Sequence, residues 1–389
     1  MKRTTKPSDA RSDSAFLSRL VDSAGFNSVA ASGISIVLGL IFGFIVILFI
    51  DATSAANGMG DLLTYGFSSL KQVAKVLYKT APLLMTGLAV GFAFRAGLFN
   101  IGATGQYTVG AFFALYVAIL WHFPWWAATL VAMVAGTLWG SIPGLFKAYF
   151  NVNEVITSIM FNWIALFLCN LIFLNNQAMW TNSSDSSRSI GLAFVNPSAL
   201  LPTLGLDVAL DSPYANIGIF IAILVAVVVF IVLEKTTFGY EVKACGLNKN
   251  AGVYAGIKAK RNIVLSMMIA GGLAGIGGAL SHLAGTVNYT ISANTLLPMG
   301  FNGIPVALLA FSHPLGIIAS ALLIGFLQVG GEAMQPEFSS EMVNIILSVI
   351  IYFSAFSLIM RNLVKRMTPK SRKKAAAGPS DPASKGVDA

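Results

Sequence analysis

Hydrophobic positions in this chain come in long blocks rather than in alternation. Apolar blocks occupy residues 29–50, 81–99, 101–120, 127–146, 155–174, 215–233, 263–282, 297–311, 314–329 and 342–360. About twenty apolar residues in a helix cross the hydrocarbon core of a bilayer. In lipid every backbone polar group must be satisfied within the span, which favours helices. The pattern therefore predicts an all-α membrane protein of about ten transmembrane helices, with both termini on one side. The first block is too long for a signal-peptide core and reads as a true span. The eighth is short and interrupted by Pro305. Between the first two blocks, residues 70–78 form a short amphipathic piece with Lys71 and Lys75 on one side, expected along the membrane surface.

The polar interruptions carry more information than the blocks. Residues 81–120 would be one apolar stretch of forty but for Arg95, Gly97, Asn100, Gly102, Gly105 and Gln106. Forty helical residues would be about twice the core thickness, so the stretch predicts two helices meeting near Asn100. Polar side chains there are costly unless paired or turned to protein or water. Glycine-interrupted places in apolar helices are where transporters tend to place sites, although a tight turn with close packing would also use such glycines. Asn162 lies inside the fifth block and Asn302 inside the eighth. Uncharged amides suit a neutral, hydroxyl-rich solute, which makes Asn100, Gln106, Asn162 and Asn302 the candidate pathway residues. Phe99 and Phe301, each next to one of these amides, join the candidates as aromatic rings that could face the path. Phe99-Asn100 and Phe301-Asn302 also echo one another, and by helix count the two junctions fall on opposite sides of the membrane, as an inverted repeat requires.

Composition and charge then orient the chain. Of 389 residues 56% are hydrophobic and only 11% charged, too apolar for a soluble domain. The formal charge of +9 gathers at block borders and the C-terminus, so it speaks for orientation rather than nucleic acid. Residues 1–28 read as a cytoplasmic tail, 29–362 as the transmembrane domain, and 363–389 as a disordered basic tail. The 175–213 loop holds a single cation, Arg188, and is expected outside. Residues 234–262 hold Lys235, Lys243, Lys249, Lys258, Lys260 and Arg261 against Glu234 and Glu241, and are expected in the cytoplasm. Within them Asn248 can cap a short helix running to Gly256. Lys71, Lys75 and Lys79 fall outside by this count, against the trend. At the fifth block Asn153 can cap the helix and Glu154 sits in its first turn. Trp121 to Trp126 read as an interfacial loop, with His122 an interfacial residue rather than a ligand. Two scattered cysteines and three scattered histidines give neither a disulfide framework nor a metal site. The run from Gly271 to Gly278 lacks a preceding strand and a Lys-Ser/Thr ending, so it is no nucleotide loop. Close helix packing accounts for it.

Gly97-Leu98-Phe99-Asn100-Ile101-Gly102-Ala103-Thr104-Gly105-Gln106 resembles the GLFNIGAEGQ signature of ABC importer permeases for simple sugars, branched-chain amino acids and nucleosides. Thr104 stands where that pattern usually has an acid. Asn153-Glu154-Val155-Ile156, Gly246-Leu247-Asn248 and Tyr254-Ala255-Gly256-Ile257 extend the resemblance over roughly residues 70–362, closest to the nucleoside branch. The resemblance implies a bacterial cytoplasmic-membrane protein that works with an ABC ATPase subunit, a second permease subunit that is often a different chain, and an external substrate-binding lipoprotein. It also implies that the 234–262 loop docks on the ATPase, through Asn248, Ala251, Gly252, Tyr254, Ala255 and Gly256.

No catalytic constellation is present, no cofactor is implied, and no acid pair lies in the apolar blocks to couple an ion. The chain has no Walker A sequence, so the energy for uphill transport must come from another chain. The expectation is a permease subunit of an ATP-driven importer of nucleosides. Alternatives are the same architecture importing a sugar such as ribose, an ion-coupled secondary transporter, and a structural membrane scaffold.

Overall fold

The computed structural model describes residues 24–182, 185–291, 295–335 and 337–355. Both expected tails fall almost wholly outside this set, as does the end of the tenth expected helix. Residues 44–348 form one compact unit that contains the whole candidate site. The flanking residues, up to 43 and from 349, form another, in which Phe42 and Phe353 stack at 4.0 Å.

The long helices are α1 (Ala24–Ile50), α3 (Leu70–Arg95), α4 (Ala103–Leu120), α5 (Trp125–Phe150), α6 (Glu154–Leu174), α9 (Gly218–Lys235), α12 (Ala259–His282) and α14 (Pro314–Ala333). These eight are long and apolar enough to cross a membrane. Between them lie α2 (Ala55–Thr64), the strands β1 (Trp180–Asn182) and β2 (Asp185–Ser189), and the short α7 (Leu192–Val195), α8 (Leu206–Ala209), α10 (Thr237–Leu247) and α11 (Lys249–Tyr254). One expected span, α13 (Met299–Leu309), is shorter than a membrane crossing, and α15 (Ser340–Ala355) runs to the end of the described residues.

The helix borders follow local chemistry. Asn153 caps α6 by accepting from the Val155 N–H at 2.8 Å, and Glu154 in its first turn pairs with Lys147 at 2.8 Å. The surface piece expected at 70–78 is instead the first two turns of α3, which Ser69 caps through the Gln72 N–H. Lys75 and Lys79 on those turns both pair with Glu332 in the last turn of α14. That pairing eases the charge anomaly, because one carboxylate offsets part of the charge of two of the three lysines, while Lys71 stays exposed. Helix α3 ends at Arg95, four residues before its expected end, and an irregular segment leads to α4.

α12 is the central helix, and its glycines decide what it touches. A methyl on Gly140 would lie 2.9 Å from the Gly271 Cα, and one on Gly136 would lie 3.0 Å from the Gly275 Cα, so α5 and α12 meet backbone to backbone. On other faces Gly277 meets Met85 of α3, and Gly278 meets the backbone of Ala111 of α4. Small residues allow this approach, and close packing holds helices together where lipid supplies no hydrophobic drive. The glycine run is thus a packing surface, as its sequence suggested.

The 175–213 loop is built, not loose. β1 and β2 pair antiparallel, and the Ser189 N–H donates to the Tyr289 carbonyl at 2.8 Å. Asn196 donates to the carbonyls of Ala118 and Phe123 and so seats the loop on the end of α4. Asn170 accepts from the Tyr289 hydroxyl at 2.9 Å. His122 is exposed beside Trp121, in keeping with a border position.

Candidate functional site

The break between α3 and α4 is held together by the amides that mark it in the sequence. Asn100 and Gln106 pair reciprocally: Asn100 Nδ2 donates to Gln106 Oε1 at 2.9 Å, and Gln106 Nε2 donates to Asn100 Oδ1 at 3.2 Å. Asn162 of α6 closes the other side. Its Oδ1 accepts from the Gly105 N–H at 2.8 Å, and its Nδ2 donates to the Ile101 carbonyl at 3.1 Å. All three side chains are buried. The glycines make room for them, since a methyl on Gly105 would sit 2.8 Å from Asn162 Oδ1. Asn162 is eight residues into α6, so α4 begins roughly 12 Å along that helix. The chain therefore enters the interior as an irregular segment before it becomes helical again.

α13 begins at the same place. A methyl on Gly300 would fall on the backbone of Thr104, and one on Gly303 would come within 2.8 Å of Thr86 Cβ. Val306 and Ala307 then pack along Gly87 and Gly91 of α3. Beyond α13, the Ser312 carbonyl accepts from Arg95 Nε at 3.0 Å. At eleven residues α13 is about 16 Å long, half the hydrocarbon core. The two Phe-Asn junctions, expected at opposite borders, are corrected on this point: the helix starts they introduce meet inside the protein, because α13 is a half-length helix that starts in the interior.

The candidate pathway residues thus divide. Asn100, Gln106 and Asn162 come together but spend their hydrogen bonds on one another and on the backbone. Phe99 stacks on Phe94 at 5.1 Å. Phe301 is 37% exposed, and Asn302 is half-buried with a side-chain amide that makes no hydrogen bond among the described residues. Two further polar groups lie at the break: Thr104, which stands where the resembling signature usually has an acid, and Ser158, which the sequence reading did not single out. Thr104 and Ser158 are both fully buried, and neither hydroxyl has a hydrogen-bond partner among the described residues.

The Lys/Arg-rich connection carries the second group of candidates. Asn248 caps α11 by accepting from the Ala251 N–H at 3.1 Å, as its sequence position predicts. Gly256 ends the helix with φ +81°, and the Ile257 N–H returns to the Gly252 carbonyl at 3.0 Å, a left-handed glycine stop. Gly252 packs on Cys245, whereas Ala251, Ala255 and Gly256 are exposed and Tyr254 is 94% exposed. A groove of about 500 Å³ runs between α10 and α11, lined by Tyr240, Glu241, Ala251, Gly252 and Ala255.

The sequence reading did not anticipate α10, nor what α10 does. Its Gly246 lies directly on the break: a methyl there would lie 2.8 Å from the Gly97 nitrogen, and Gly97, at φ +71°, returns the contact at 2.9 Å from the Gly246 Cα. The surface that presents Tyr254 is therefore joined, through one short helix, to the segment that Asn100 and Gln106 fasten. Nearby, His313 faces Arg95, Glu234 and the Phe230 ring at 5.8 Å. Partial burial, with Arg95 adding to it, holds its imidazole below the ordinary histidine range, and Glu234 opposes the shift.

The architecture defines a multi-pass helical membrane protein with a broken helix pair at its centre. Residues 72–355 match the family described as branched-chain amino acid transport system / permease component, and the chain belongs to that family. It is similar to the guanosine ABC transporter permease protein NupP of Bacillus subtilis, 37% identical over 87% of this chain and 96% of that relative. The nucleoside ABC transporter permease protein NupB of Lactococcus lactis is 34% identical over 87% of this chain and 93% of its own length. The guanosine ABC transporter permease protein NupQ, also of Bacillus subtilis, is 27% identical over 66% of this chain and 80% of its own. No solved structure matches the chain significantly. The protein is accordingly a transport component of the cytoplasmic membrane, not an enzyme.

Proposed function

We propose that this chain is the transmembrane permease subunit of an ATP-driven ABC importer and that it passes nucleosides across the cytoplasmic membrane by alternating access. Its likeness to two nucleoside permeases over 87% of its length carries the reading. The joined arrangement of α11, α10 and the break supports the mechanism. Its partners are an ABC ATPase and another permease subunit. Because NupP and NupQ of one organism both resemble the chain, the second permease is a different chain. An external substrate-binding lipoprotein delivers the solute.

In this reading the ATPase grips Tyr254, Ala255 and the groove beside Ala251 and Gly252. Closure of the ATPase pair pushes α11, and α10 carries the push to Gly97 through Gly246. The fastened break then moves as a unit against the first turn of α13, where Asn302 and Phe301 meet the solute. A neutral nucleoside suits such uncharged groups, its hydroxyls on the amide and its base on the ring.

The test is uptake into proteoliposomes that hold this chain with its co-purified partners. Guanosine uptake should need internal ATP and should compete with other nucleosides but not with free ribose. Competition by ribose would move the reading to a sugar importer. Uptake driven by an ion gradient without ATP would end it.

A further inference from the structure

Thr104 sits where the starts of α4 and α13 meet. Its backbone carbonyl accepts from the Thr108 hydroxyl at 2.8 Å, an ordinary helical arrangement. Its own hydroxyl is fully buried and has no hydrogen-bond partner among the described residues. Buried polar groups are almost always paired, and one left unpaired calls for an explanation. A simple one would be a hydroxyl that costs stability for nothing, where valine would fit as well. The surroundings argue for use. The hydroxyl faces Gly300, a position without a side chain, and two residues further along α13 stands the half-buried Asn302, whose side-chain amide makes no hydrogen bond among the described residues. Toward α6, Asn162 and the Asn100–Gln106 pair each use both ends of the amide in a hydrogen bond, while the Ser158 hydroxyl beside Gly102 has no partner among the described residues. Unspent hydrogen-bonding capacity among the described residues thus lies at Ser158 on the α6 side and at Thr104 against Gly300, which precedes the exposed ring of Phe301.

We propose that the Thr104 hydroxyl is a contact for a hydroxyl of the transported solute, a neutral sugar-bearing molecule, made when the first turn of α13 draws away from α4. The inference rests on the nucleoside-importer reading and names a residue of its path. Together Thr104 and Asn302 supply a hydroxyl and an amide from two helix starts that come apart as access switches. Either group can donate or accept, which suits a sugar ring.

The test compares Thr104→Val and Thr104→Ser in the reconstituted complex with its partners. Guanosine and 2′,3′-dideoxyguanosine are each supplied at saturating concentration, so that delivery by the binding protein does not set the rate. With T104V, the ratio of guanosine to dideoxyguanosine uptake should fall about tenfold, the size of one net hydrogen bond. T104S should restore the ratio, and the detergent melting temperature of T104V should hold or rise, since a methyl replaces an unpaired buried hydroxyl. An unchanged ratio in T104V overturns the proposal, as does an equal loss for both nucleosides. If valine prevents assembly, Thr104→Ala is read by the same ratio. Failure of the wild-type complex to move guanosine at all would instead overturn the nucleoside reading.

Discussion

Asn162 and Asn302 are the same residue at two helix starts that touch, and they are used in opposite ways. Asn162 stands beside the start of α4, buried, and spends both ends of its amide on the backbone of Gly105 and Ile101. Asn302 stands at the start of α13, half-buried, with its amide unspent. An amide in an apolar helix is therefore not by itself a sign of a solute path. Satisfied, it is a fastening that fixes a break which lipid would otherwise penalise; unsatisfied, it is available. On this division the amides that fasten α4 are scaffold, and variants on the α13 side test whether solute meets the protein there.

That division is open to attack from several directions. The largest effect is expected at Gly246→Val, which forces a side chain into the backbone of Gly97. Uptake in proteoliposomes should vanish while basal ATP hydrolysis by the complex persists. Retained uptake would show that α10 does not carry the push. Next comes Asn162→Ala, which strips a donor and an acceptor of their partners inside the protein. A loss of about 2–4 kcal/mol is expected, since each orphaned buried group costs about 1–3 kcal/mol. Thermal unfolding in detergent measures it, and a wild-type melting curve would mean Asn162 is not a fastening. Asn302→Ala should leave that curve unchanged yet slow guanosine uptake about tenfold, the value of one hydrogen bond. If it unfolds the protein instead, the two asparagines are alike and the comparison fails.

The smallest effect concerns acid. His313, outside the spans and beside Arg95, titrates below its ordinary value of about 6.5. The unfolded chain then binds the extra proton more readily than the folded one, so its contribution to stability rises with pH across the window between the two values. Stability should therefore decline as pH falls below about 6.5, and level off once the folded group is also protonated. In His313→Gln the part of that slope due to this residue should disappear. A slope identical to wild type from pH 7 to 5 would show that Arg95 and burial do not govern this histidine.

Much of this was legible in the residues themselves. Long apolar blocks marked each long helix, though α3 begins well before its block, and the Asn248 and Asn153 caps follow from side-chain chemistry within one turn, which sequence carries directly. The break at Asn100 was legible too, because polar groups and glycines cannot hide in an apolar block. What was missed depends on partners far away in the chain. Whether Lys75 and Lys79 lie free on the surface or in a half-buried ion pair is decided by Glu332, some 250 residues later. Whether Asn162 lines a path or ties a backbone depends on where Gly105 comes to rest. Thr104 was visible in the sequence only as a departure from the resembling signature, and the lack of a neighbour for its hydroxyl, which depends on distant residues, is what makes it a candidate.

The glycine contact between α5 and α12 also says something about how the protein is made. Gly140 and Gly271 are separated by more than a hundred residues, which a ribosome adds at about 5–20 residues per second. For roughly ten seconds, then, α5 has been made and the helix that fills its furrow has not. Newly inserted chains are at risk in that interval, when α5 can accept a stray helix in place of its own. A chain cut short before α12 never leaves that state, however well its earlier helices have formed.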